Sequence, residues 1–179
     1  MKQTNRSVFR RGADDGLILG PLMIITVILV AASPFYGWML IPAFAAIIAV
    51  PILSFYLIAR GLKEDYPNTP FAATWMHGIC MFLGGGIILA LFAFIALRWW
   101  QPLYFQNLYA FTIDILQSQH DVNNQKLIDQ MQMMIDRGLT PSPSDTAFEL
   151  LYLVSFTGSI LSLILALIAR KLHNSNKSE

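Results

Sequence analysis

The stretch Gly16–Ala59, GLILGPLMIITVILVAASPFYGWMLIPAFAAIIAVPILSFYLIA, contains no Asp, Glu, Lys, Arg or His. A hydrocarbon layer ~30 Å thick is crossed by about 20 helical residues, so this stretch is long enough to cross twice. The turn Ser33-Pro34-Phe35-Tyr36-Gly37 divides it into two helices. Two more apolar stretches follow. Phe71 to Leu97 is interrupted only by His77, and Leu150 to Ala169 lies uncharged between Glu149 and Arg170. The chain therefore reads as an all-α integral membrane protein with four transmembrane helices, near 16–34, 39–60, 72–100 and 143–171.

Composition agrees. Of 179 residues, 55% are hydrophobic and 13% charged, against about 25% charged in soluble domains. The polar, basic start is followed by no cleavage-like run of small residues, so a removed signal peptide is not expected. Cys80 is the only cysteine, which excludes an internal disulfide and any cysteine-based metal cluster. One domain without tandem repeats is expected over residues 1–179.

Prolines and polar residues mark the helix ends. Pro21 is expected in the first turns of helix one and Pro42 near the start of helix two, where a missing amide donor matters least. Pro51 falls mid-span and is expected to kink helix two. Ser142 suits an N-cap, Pro143 the first helical position, and Asp145 the positive end of the helix dipole.

Lys and Arg set the orientation. Lys2, Arg6, Arg10, Arg11, Arg60, Lys63, Arg170, Lys171 and Lys177 fall on one side; Arg98, Lys126 and Arg137 fall on the other. Both termini are thus expected in the cytoplasm, with residues 101–141 on the opposite side of the membrane. Trp75, Trp99 and Trp100 stand where an interfacial aromatic belt would put them.

The outer segment repeats apolar residues at Tyr104, Leu108, Phe111 and Ile115, then at Leu127, Ile128, Met131, Met134 and Ile135. Both are one-sided helical stripes, predicting a helical hairpin on the outer face, bent at Gln119-His120-Asp121, capped by Asp121 and closed by Gly138. Such stripes ordinarily lie on lipid or fold over the bundle. The sharper reading is a partner-docking surface at Leu127, Met131, Met134 and Ile135, because flexible thioethers adapt to varied apolar surfaces.

Small residues mark packing faces. Gly12, Gly16 and Gly20 recur every four residues, a spacing that lets two backbones approach closely in lipid, within the chain or between copies. Ser155, Ser159, Ser162, Ala166 and Ala169 form a heptad-phased seam on helix four, and Gly84, Gly85 and Gly86 are a natural place for that seam to approach. Asp14 and Asp15 read as surface carboxylates balancing the helix dipole and Arg10 and Arg11. His77 reads as a headgroup-level residue near the cytoplasmic border.

No catalytic, cofactor-binding or metal-binding residue is expected. Three scattered histidines offer no metal site. No Ser/His/Asp set, His-Glu-x-x-His motif or phosphate loop is present. None of the four expected spans supplies the Asp, Glu, Lys or Arg that ion-coupled transport requires at depth.

Several elements occur in a familiar order. They are Gly16-Leu-Ile-Leu-Gly, Phe71-Ala-Ala-Thr-Trp-Met-His-Gly, Leu127-Ile-Asp-Gln-Met-Gln-Met-Met and the closing helix Ser159-Ile-Leu-Ser-Leu-Ile-Leu-Ala-Leu-Ile-Ala-Arg-Lys. Over about residues 12 to 172 the chain resembles bacterial domain-of-unknown-function family 4199. The resemblance implies four membrane helices and an inner-membrane address in Gram-negative bacteria, and it brings no activity. The function expected is a non-enzymatic accessory or scaffold subunit of a membrane complex, without cofactor. Its partners would be the bilayer and another membrane protein or a second copy, not nucleic acid. The alternative is a subunit of a small oligomeric transporter or channel.

Overall fold

The structure, a computed structural model, describes residues 7–64, 70–119 and 124–175, with side chains to 173. The described residues form six helices and no strand. They are α1 (Val8–Ala32), α2 (Leu40–Glu64), α3 (Phe71–Ile95), α4 (Tyr104–Ser118), α5 (Gln125–Asp136) and α6 (Pro143–Ser175). A 3₁₀ turn, Gly37–Met39, leads into α2, and a π turn, Ala96–Trp100, extends α3. Four helical spans are long and apolar enough to cross a membrane: Val8–Ala32, Gly37–Glu64, Phe71–Trp100 and Pro143–His173.

The first helix begins well before the uncharged stretch. Ser7 caps it, its Oγ accepting from the Arg10 amide at 3.3 Å. Arg10, Arg11, Asp14 and Asp15 are therefore helical, and the expectation of charge-free spans does not hold for the helix that carries the first span. Pro21 moves from the first turns to the middle of α1. Its missing amide leaves the Leu17 carbonyl without an i+4 donor. Pro51 likewise sits inside a continuous α2. Hydroxyls along these helices bond their own backbone one turn back: Thr26 to Leu22 O at 2.8 Å, Ser54 to Val50 O at 2.7 Å, Thr157 to Leu153 O at 2.6 Å. Such back-bonds satisfy polar groups where no water competes.

The chain divides into two compact units, 1–91 with 148–179, and 92–147. In the first, Leu19, Met23, Leu57, Ile58, Met81, Phe82, Leu89 and Leu165 form one core. Its outward faces stay apolar: Leu17, Ile25, Ile41, Phe44, Ile52 and Tyr56 are all exposed. An apolar surface this extensive is a liability in water and the ordinary lipid-facing surface of a membrane protein.

In the second unit α4 packs on α5, with Ile113 and Ile128 buried. The π turn closes through Gln101 N–H to Ala96 O at 2.8 Å, ahead of Pro102. Trp100 and Trp99 stand edge-on to Phe92 and Phe94. Gly138 ends α5 at φ 62°. Its amide donates to Ile135 O and that of Leu139 to Met134 O, at 3.1 and 2.9 Å. That pair of bonds is a Schellman cap, which needs a left-handed residue at this position. The expected cap at Asp121 and the bend at His120 lie outside the described residues.

Helix α6 opens as its sequence indicates. Ser142 Oγ accepts from the Asp145 amide at 3.1 Å and donates to the Asp145 carboxylate at 2.7 Å, with Pro143 as first residue. Ser142→Ala is expected to lower stability by about 1 kcal/mol. A shift in the denaturant midpoint of the purified protein measures it, and an unchanged midpoint would show that the cap contributes nothing.

Candidate functional site

Three helices of the first unit meet at one end, and small residues bring them there. A Cβ on Gly12 would lie 2.6 Å from Cys80 Cβ and 2.7 Å from His77 O, and one on Gly16 would lie 2.8 Å from Met81 O. A Cβ on Gly20 would meet Ile88 at 2.9 Å. The glycine face of α1 thus lies against α3 of the same chain. At such separation the residue preceding each glycine, about 100° round the helix, also turns towards the contact. Arg11, Asp15 and Leu19 are buried together with Gly12, Gly16 and Gly20.

This register buries an ionic cluster. His77 is fully buried, and the side chains of Asp15 and Arg11 are 3% and 8% exposed. Asp15 Oδ2 takes two partners: His77 Nε2 on α3 at 2.9 Å and Arg11 Nε on its own helix at 3.1 Å. Arg11 Nη2 also lies 3.5 Å from Glu64 Oε2 at the end of α2. Glu64 in turn accepts from Arg60 Nε at 3.0 and 3.1 Å, both of these side chains being about half exposed. The chain His77–Asp15–Arg11–Glu64–Arg60 runs from the interior to the surface and crosses three helices. Two readings are corrected here. Asp15 is an interior carboxylate and not a surface one, and His77 points into the helix contact and not to the headgroups. A buried ionised group persists only when paired and hydrogen-bonded, and Asp15 meets both conditions.

The remaining small residues are spread over two contacts. Gly84 and Gly85 face α1: a Cβ on Gly84 would lie 3.6 Å from Gly16 Cα, and one on Gly85 3.3 Å from Met23 Sδ. Gly86 faces α6, where Val154 and Leu151 would be 3.2 and 3.3 Å away. On α6, Ser162 is fully buried against Gly78 and bonds back to Ser159 O at 2.8 Å. Ser159 is half-buried, its carbonyl accepting from Trp75 Nε1 at 3.1 Å. Ala166 is fully buried and Ser155 half-buried. Gly78 and Gly158, which no spacing pattern singled out, are the tightest positions, closed by Ser162 and the Phe82 ring.

A cavity of about 320 Å³ lies among these helices, lined by residues that include Met23, Val50, Phe82, Val154 and Leu161. Thr26 and Thr157 also line it, but their hydroxyls bond their own helices. It presents no group capable of acid, base or nucleophilic work. Among the described residues no group of three His, Cys, Asp or Glu side chains could hold a metal ion.

On α5 the stripe is divided. Ile128 is buried, Met131 and Ile135 are half-buried, and Leu127, Met133 and Met134 are exposed. Gln125–Asp129 and Gln132–Asp136 hydrogen bonds, at 2.9 and 3.0 Å, brace the polar face.

Compared with known families, residues 14–171 match the one described as protein of unknown function (DUF4199). The chain belongs to that family. The match is the one its glycine, aromatic and charge motifs suggested, and with four apolar helices it makes this DUF4199 member a multi-pass membrane protein. No curated protein and no solved structure matches the chain. The DUF4199 region takes in Asp15, Glu64, His77 and Cys80, while Arg11 precedes it by three residues.

Proposed function

We propose that this DUF4199 protein is a non-enzymatic accessory or scaffold subunit of a membrane complex in the bacterial inner membrane, with both termini cytoplasmic and α4–α5 on the periplasmic side. Nine Lys and Arg against three, on the two sides of the expected topology, support the orientation. The observation that carries the role is the apolar face of α5. Ile128 is buried where α5 packs on α4, with Met131 and Ile135 half-buried, yet Leu127, Met133 and Met134 stay exposed on the same short helix. Full burial of such a side chain contributes roughly 1.5–3 kcal/mol, and a partner membrane protein bearing an apolar groove would gain about half of that from each, since 42–48% of each is still exposed. Bilayer and protein are the partners of this reading, with no cofactor and no nucleic acid.

The experiment places a photo-crosslinking residue at Leu127 or Met134 in the full chain within native membranes. One adduct of defined protein mass is expected, weakened by Met134→Asp. Adducts to lipid alone would overturn the role. Orientation is read separately, by impermeant thiol labelling of intact cells in a Cys80→Ala background. Cysteine at Gln132 should label and cysteine at Lys171 should not; the reverse pattern inverts the topology.

A second reading, a subunit of a small oligomeric transporter, is favoured by one observation: the buried Arg11–Asp15–His77 cluster supplies titratable groups within helices that read as spans. Flux of a solute into proteoliposomes of the purified protein would support it, and their tightness would remove it.

A further inference from the structure

We infer that the cavity bounded by α1, α2, α3 and α6 is a binding site for one acyl chain of a bilayer phospholipid. The inference depends on neither reading of the function. It starts from walls that grade from interior to surface. Phe82 and Leu89 of α3 are 3% and 1% exposed, Val27 and Val50 are half-buried, and Thr157 of α6 is exposed. The cavity is therefore a groove with its base on α3 and its mouth beside Thr157. On α6 the mouth is flanked by exposed Leu153 and Ile160, which belong to the lipid-facing surface.

One end of the groove is closed at Gly78, where a Cβ would meet both Ser162 of α6 and Ile58 of α2. Beyond that level the base runs from Phe82 to Leu89, about 10 Å along the helix at about 1.5 Å per residue. Every lining residue comes from a stretch of sequence without Asp, Glu, Lys or Arg, so the groove lies at hydrocarbon depth.

Left empty, a cavity of about 320 Å³ would destabilise the bundle in proportion to its volume. Water does not suit it. The volume would take about ten molecules at ~30 Å³ each, and each needs two or more polar partners. Only two side-chain hydroxyls line the groove, and Thr26 and Thr157 spend their hydrogens on Leu22 O and Leu153 O at 2.8 and 2.6 Å. A helix from a second copy does not fit either. A cylinder about 10 Å across and about 10 Å long needs more than twice this volume. A single flexible hydrocarbon chain needs no polar partner and can follow a groove of this length. Acyl chains are also what the bilayer supplies at this depth. The gain is contact and not dehydration, because the chain exchanges one apolar surrounding for another while supplying dispersion contacts to Phe82 and Leu89.

The test uses the full chain in nanodiscs of phosphatidylethanolamine and phosphatidylglycerol, a fraction of whose acyl chains carry a photoreactive diazirine at mid-length. Adducts are mapped by mass spectrometry. Attachment is expected at Phe82 or Leu89, which are too deeply buried to meet the surrounding bilayer. It is also expected at Ile87, which is exposed on the same helix between them. Val50→Phe and, separately, Val27→Phe narrow the groove from half-buried positions. Each should lower the Phe82 and Leu89 adducts about fivefold or more, the effect of an overpacking penalty on occupancy, and leave Ile87 attachment unchanged. If neither variant folds, attachment in the unmutated protein decides alone. Ile87 labelled with Phe82 and Leu89 untouched would overturn the proposal. So would base adducts that persist in the folded variants, or a photoreactive residue at Thr157 that joins two copies of the chain and not chain to lipid.

Discussion

Asp15→Ala is expected to lower stability by about 3–5 kcal/mol, the loss found when one member of a buried ion pair is removed. The alanine takes from fully buried His77 the carboxylate at 2.9 Å and from Arg11 the one at 3.1 Å. Both groups stay in the helix contact, where their side chains are almost wholly buried. Glu64→Ala is the comparison. It removes a carboxylate that also bonds two arginines, but one about half exposed, and an exposed pair contributes about 0–1 kcal/mol. Arg11→Met with Asp15→Leu and His77→Leu should recover much of the loss, since the whole cluster is then replaced by apolar side chains. Unfolding in mixed micelles, followed by fluorescence, measures all three. A loss below about 1 kcal/mol for Asp15→Ala would show that the carboxylate is solvated and would remove the buried cluster from the account.

Why that cluster was hard to read in the sequence is itself physical. Absence of charge locates apolar spans well, and four such stretches lie within the four long helices. The same criterion places the start of helix one after Asp15, because it treats charge as the boundary. Helices do not stop at charges; they stop at caps, and the cap is Ser7. The signal that was available is the glycine face. Carried back through Gly12 it includes Arg11 and Asp15, each preceding a glycine on a face that must be buried for the glycines to serve any purpose. His77 could not be matched to Asp15 in the same way. The offset of one helix along another is set by side-chain interdigitation, and no spacing within a single helix encodes it. The glycine triplet shows the same limit. Read as one approach point, it is divided between α1, for Gly84 and Gly85, and α6, for Gly86. Isolated Gly78 and Gly158 repeat at no interval, so only the packed helices reveal Ser162 and Phe82 filling the space at each. The α6 cap and the Gly138 turn were legible because such signals are local, needing only residues a few positions apart.

Gly16→Leu is expected to separate α1 from α3 and to lower stability by about 3 kcal/mol or more, at the upper end of overpacking losses. The physical reason is the kind of atom it would meet. A Cβ at residue 16 would lie 2.8 Å from Met81 O, 3.1 Å from Gly85 N and 3.2 Å from Gly84 Cα, all of them backbone. No rotamer change moves a backbone atom, so the helices themselves must part, and the three further carbons of leucine enlarge the gap. Separation at Gly16 also lengthens the Asp15–His77 bond beside it, adding the ionic loss to the steric one. Gly20→Ala should be milder, because the atoms it meets belong to the Ile88 side chain, which can shift. Gly84→Ala should be nearly neutral or slightly stabilising, although it faces the same contact from the other side. Its nearest neighbour would be 3.6 Å away, an ordinary van der Waals distance, and alanine favours a helix by about 1 kcal/mol over glycine. Thermal midpoints of the variants in one detergent give the order directly: Gly84→Ala highest, then Gly20→Ala, then Gly16→Leu. If Gly84→Ala proves as harmful as Gly16→Leu, the register that pairs Gly16 with Met81 is wrong, and with it the pairing of Asp15 with His77.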